Sequence, residues 1–141
     1  LGISQISGGS RTSVGGYATP EPKEENSAQF DISDTRTLDE VVNWLLDMGH
    51  IPSFCTACYR AGRTGDRFMS LVKSGQIANC CAPNALMTLK EYLEDYASAD
   101  TRAKGEVLIQ KELKHIPNPK IKEIAARNLK EIIEGKRDFR F

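Results

Sequence analysis

At 141 residues the chain is long enough for about one domain. Its 19 Lys+Arg balance 19 Asp+Glu, so no overall field draws it to nucleic acid or to a membrane surface. No apolar run reaches the roughly 20 residues that a bilayer-spanning helix needs, and no basic segment followed by an apolar stretch reads as a secretory leader.

Residues 2–7, rich in Ile and Ser, read as a β-strand already under way from Leu1. Gly8, Gly9, Gly15 and Gly16 then punctuate a loop that runs to Tyr17. A lone strand can bury neither its edges nor its faces, so we expect this chain to be a piece of a longer protein. Residues 18–33 read as a linker, because Pro20, Pro22 and the charges from Lys23 to Glu25 disfavour regular structure. Gln29-Phe30-Asp31-Ile32 adds a short extended piece.

The first predicted helix runs from about Leu38 to Met48. Thr37 and Glu40 form a capping box, each side chain satisfying a free backbone N–H. Leu38, Val41, Val42 and Leu45 share one face, and Gly49 suits the stop. A cysteine-bearing loop follows. A second helix covers Asp66 to Lys73 and ends at Gly75. A third starts with Pro83 in its first turn, where a missing N–H costs nothing, and buries Leu86, Leu89, Leu93 and Tyr96. A fourth spans Thr101 to His115, with Val107, Leu108, Leu113 and Ile116 inward and Gly105 weakening it slightly. Asn118-Pro119 caps a fifth, which carries Ile121, Ile124, Ala125, Leu129, Ile132 and Ile133 before Gly135. Residues 34–135 therefore read as mostly α.

The cysteines carry the chemistry. Cys55 and Cys58 form Cys-x-x-Cys, and Cys81 follows after 22 intervening residues, giving C-x2-C-x22-C. Three thiolates can hold three irons of a cubane and leave the fourth open to a substrate or a second metal. Four cysteines, two of them adjacent, make a poor disulfide framework, and we expect a reduced, cytoplasmic setting with metal ligation. Structural zinc is the alternative, with His50 completing a four-ligand set, although a second Cys-x-x-Cys knuckle is missing. Spacing alone leaves iron–sulfur and zinc both open. A thioredoxin-like role fits poorly, because this Cys-x-x-Cys follows a helix and lies in an Arg/Gly-rich loop. Cys80 reads as a small buried hydrophobe or as a ligand in place of Cys81. Arg60, Arg63 and Arg67 crowd the loop. They either offset the charge of an anionic cluster or form a solvated basic face countered by Asp66. His115 serves a helix C-terminus, and Trp44, Met48, Met69 and Met87 fill core or interface.

Three stretches together resemble a known family: Cys-Thr-Ala-Cys-Tyr-Arg from Cys55, Gly62-Arg63-Thr64-Gly65-Asp66-Arg67-Phe68-Met69, and Cys81-Ala82-Pro83-Asn84-Ala85-Leu86. They resemble the C-terminal cluster domain of the radical S-adenosylmethionine tyrosine lyase of FeFe-hydrogenase maturation, the HydG family. Ile6 to Thr12, Gly15-Gly16-Tyr17 and Gln29 to Asp34 resemble the end of the barrel in the wider group, which includes the 2-iminoacetate synthase of thiamine biosynthesis. That synthase lacks the cysteine extension. The resemblance implies residues 1–33 as barrel end and linker: the last strand and loop of a radical-SAM TIM-type barrel. It implies residues 34–141 as a helical auxiliary-cluster domain.

The resemblance further implies Cys55, Cys58 and Cys81 as ligands of an auxiliary 4Fe-4S cluster with an extra iron, where free cysteine is a partner. It implies that the parent lyase also holds S-adenosylmethionine and a second 4Fe-4S cluster. Tyrosine would be split to supply carbon monoxide and cyanide for an iron–carbonyl–cyanide unit, passed on to other hydrogenase maturation proteins. The C-x3-C-x2-C motif for the S-adenosylmethionine cluster is absent from the 141 residues, so without the missing N-terminal barrel we expect no tyrosine cleavage. Ser7, Ser10 and Arg11 lie where barrel enzymes place binding loops. There Arg11 either grips a carboxylate bidentately or is a plain surface arginine.

Overall fold

Helix follows helix through a computed structural model that describes residues 6–10 and 36–141. The elements are α1 (Leu38–Asp47), α2 (Ala57–Arg60), α3 (Asp66–Lys73), α4 (Ile77–Asp95), α5 (Ala99–Leu113) and α6 (Pro119–Ile133). The chain is mostly α, as the periodicity requires. The expected strand falls mainly on residues outside the described set; Ile6 and Ser7, its last two positions, have no regular structure. The expected linker at 18–33 also lies outside the described residues.

The capping box on α1 forms. Glu40 N–H donates to Thr37 Oγ1 at 3.3 Å and Thr37 N–H donates to Glu40 Oε2 at 2.6 Å. Asn118 caps α6 by accepting from the Lys120 and Ile121 amides at 3.0 and 3.3 Å. Asn118→Ala leaves both donors to water and should cost about 1 kcal/mol in a urea melt.

α4 is the central element, packing on both α5 and α6, while α1 lies against α5. The core joins Val42 and Leu46 of α1 to Leu86, Met87, Leu89, Tyr92 and Leu93 of α4, Leu108 and Ile109 of α5, and Leu129 and Ile132 of α6. Neither α2 nor α3 packs extensively on another helix. They lie on the bundle as appendages of the cysteine region.

Several expectations on helix faces are corrected. Tyr96 is 77% exposed, and Tyr92, one turn earlier, takes the inward place. Val107 is 72% exposed, with Ile109 buried instead. Ile133 and Leu38 are exposed too, although Val41, Val42 and Ile132 beside them are buried. A 3.6-residue period leaves the edges of an apolar stripe undecided until the neighbour's crossing direction is known. Met87 is core, whereas Trp44, Met48 and Met69 are partly exposed, with Arg36 stacked 4.9 Å above the Trp44 ring.

The largest correction concerns α4. It begins at Ile77, six residues before Pro83, so the proline stands inside the helix. It has no N–H to donate to the Asn79 carbonyl. Cys80 and Cys81 therefore sit on a helix and not in an extended segment, and their directions are set by helical geometry.

Candidate metal centre

Two segments meet at the cysteines. The first runs through Cys55, Thr56 and α2, which begins at Ala57 and carries Cys58. The second is the start of α4 with Cys80 and Cys81. All four thiols are free and half-buried. Cys55 Sγ accepts from the Ala57 amide at 3.4 Å, a bond that orients the sulfur over the first turn of α2. The Cys58 carbonyl accepts the Arg63 amide at 2.8 Å and closes the turn after α2.

Burial pushes the Cys81 thiol up to about 11, with Cys80 adding to the effect and charges on Cys58 and Cys55 contributing further. Cys80 differs from Cys81. Its Sγ donates to the Gln76 carbonyl at 3.4 Å, one turn back on its own helix, and lies 3.9 Å from Cys81 Sγ. It is half-buried, so the expected small buried hydrophobe is only partly realised.

Anchors fix the Cys-x-x-Cys from both sides. Before it, the Phe54 amide donates to Thr88 Oγ1 of α4 at 3.3 Å, and the Phe54 ring stacks on Tyr92 at 5.2 Å. After it, Arg60 makes a bidentate pair with Asp138, at 2.6 and 2.8 Å. Hydrogen bonds from Arg60 hold the Asp138 carboxyl down at about 2. The folded value is lowered, so the pair contributes above the ordinary carboxylate value of 3.8 and is lost as pH falls through about 2. Asp66 is therefore not the counter-ion of Arg60. A cleft of about 810 Å³ opens beside Phe54, Tyr92 and Tyr96. Its carboxylates are already engaged: Asp95 with Arg137, and Asp39 with Tyr92 and Thr101.

Arg63 stands out among the loop arginines. Its Nε is buried and has no hydrogen-bond partner among the described residues. An orphaned guanidinium donor fits an anionic acceptor, and Arg63 lies on the turn that its amide closes onto the Cys58 carbonyl. His50 is exposed, and among the described residues no three His, Cys, Asp or Glu side chains gather closely enough to hold a metal ion. His115 pairs with Glu112 at 3.2 Å just beyond α5.

Ser7 and Ser10 are exposed, flanking Gly8 and Gly9, whose backbone packs on Leu38 and Val41. Arg11 lies outside the described residues. Sequence reasoning missed Phe54, Thr88 and Asp138 as supports of the site. Their partners lie 34 and 78 residues away, and no local pattern marks such pairs.

No protein-family model matches the chain, and no curated protein matches it. A solved crystal structure of HydG, a maturase of the FeFe-hydrogenase, aligns over 99% of this chain at 49% identity with a TM-score of 0.86. The chain belongs to the HydG family. It spans 30% of the length of that HydG chain. Membership confirms the helical fold expected for this part of a HydG. Among the described residues no helix is long and apolar enough to cross a membrane.

Proposed function

We propose that this chain supplies the protein ligands of an auxiliary 4Fe-4S cluster in a HydG-type radical S-adenosylmethionine tyrosine lyase. The observation that carries the reading is the set of three free, half-buried thiols, Cys55, Cys58 and Cys81, on two facing segments of a HydG-like chain. Residues 34–141 form the cluster-bearing domain in this reading, and residues 1–33 lead into it from the barrel.

The cluster, when bound, supplies an iron without a protein thiolate, which can take up small ligands such as carbon monoxide and cyanide derived from tyrosine. The residues present do the holding. Cys55 would approach from just before α2, Cys58 from within it, and Cys81 from α4. Arg63 offers an unsatisfied donor to the negative charge that three thiolates bring. In the whole protein, a barrel with S-adenosylmethionine and a second cluster would make the fragments, and this chain alone would not cleave tyrosine. Ser7, Ser10 and Arg11 would lie at the barrel's binding loops, and other maturation proteins would receive the product.

Anaerobic reconstitution with iron and sulfide, followed by Mössbauer and EPR spectroscopy, tests the reading. A 4Fe-4S signal that shifts when free cysteine or cyanide is added supports an open iron. A colourless protein that takes up one zinc overturns it and leaves a structural zinc-binding interaction domain.

A further inference from the structure

We infer that residues 137–141 form a strap that fixes the Cys58 turn and the Cys81 helix at one separation. The Asp138 side chain grips Arg60 bidentately, two residues past Cys58, while its backbone amide donates to Glu91 Oε1 of α4 at 2.8 Å. A single residue thus joins the α2 turn to the helix that carries Cys81. Arg140 braces the same carboxylate at 3.0 Å. Arg137 clamps Asp95 at the end of α4 at 2.5 and 2.9 Å, and also donates to the Ile132 carbonyl.

The far end of the strap closes on the second cysteine segment. The Phe141 amide donates to Asn84 Oδ1 at 2.9 Å, and Asn84 is three residues past Cys81 and only 3% exposed. Phe139 and Phe141 pack against the core. Asp138 has φ 65, a left-handed turn that aims its carboxylate and its amide at two different elements. Aspartate and asparagine are enriched in that region among non-glycine residues.

The need for a strap follows from α2 itself. Four residues make barely one turn, which is marginal without outside support, and α2 packs on no other helix extensively. Phe54 holds the near end of the Cys-x-x-Cys on α4, and Arg60 holds the far end through Asp138. Arg60 and Asp138 are accordingly positioning residues. What the fixed separation serves rests on the cluster reading above; the strap itself does not.

Asp138→Asn, Arg60→Gln, their combination and Arg60→Lys test the strap in the full chain. Asparagine keeps the shape and the left-handed turn and removes the charge. The first readout is the alkylation rate of Cys58 relative to Cys80 in the metal-free chain, measured peptide by peptide by mass spectrometry. Iron content after anaerobic reconstitution and the thermal midpoint are measured alongside. Each single variant should raise the Cys58 rate roughly two- to five-fold, the double should add nothing further, and Arg60→Lys should fall between. Thermal midpoints should stay near that of the parent chain, because the pair is exposed, while iron retention drops. An unchanged Cys58 rate in both single variants, or additive effects in the double, overturns the strap. Raised rates in the variants, with a parent chain that holds no iron, keep the strap and remove the cluster reading. An unchanged rate in a chain that holds iron does the reverse.

Discussion

Cys55→Ser, Cys58→Ser and Cys81→Ser should each strip the reconstituted chain of most of its iron, from about four per chain to below about one, while Cys80→Ser keeps it. Serine is nearly the same size, so the change is chemical: a hard, weakly acidic hydroxyl replaces a soft thiolate. The Cys80 thiol is already bonded to the Gln76 carbonyl of its own helix. α2 makes no extensive helix contact, so the Cys58 variant and that of Cys55 just before it should keep the fold, and the loss should read as lost ligation. A disulfide between Cys80 and Cys81 does not confuse the result. Consecutive Cα atoms stand about 3.8 Å apart, below the 4.4–6.8 Å range that disulfides normally span. Iron retained in Cys81→Ser and lost in Cys80→Ser would sink the assignment and move the third ligand one residue back.

Gly105→Val should destabilise the fold by roughly 3 kcal/mol, about 10 °C in thermal midpoint, although valine is the better helix former of the two. A Cβ at 105 would stand 2.5 Å from Leu93 Cδ1 and 2.8 Å from Cδ2. Leu93 is fully buried in the last turn of α4, where a shift of its side chain meets the packed core. α5 therefore approaches α4 at Gly105 by backbone, and any side chain there forces the two helices apart. Even Gly105→Ala should lose about 1 kcal/mol, since overpacking outweighs the propensity gained. A variant as stable as the parent chain in urea would show that α4 and α5 can slide past the clash.

The two predictions divide along what is local and what is not. Nearly every helix was legible from apolar period and end signals. The Thr37–Glu40 box, the Asp66–Lys73 bounds and the Asn118-Pro119 start all formed as expected, because caps and periods act within a few residues. The thiol spacing and the family resemblance were equally plain, since they are patterns in the order of residues itself. The start of α4 was misplaced because proline is usually a first-turn residue. One lost hydrogen bond inside a long helix is tolerated when that helix is the hub of the core.

Other features had no sequence signal at all. Gly105 looked like a weak point in a helix and is instead a contact surface, a distinction that needs Leu93 in place. Arg60, Arg63 and Arg67 looked alike in the sequence. The fold gives Arg60 to Asp138, 78 residues away, and leaves Arg63 with a buried, unmatched donor. The sequence by itself determined the helices, the thiols and their spacing, because those depend on neighbours along the chain. Only the tertiary structure decided which face of each helix is buried, which arginine is free to meet an anion, and what holds the Cys-x-x-Cys to α4. Those depend on which distant residues the packed core brings within hydrogen-bond reach.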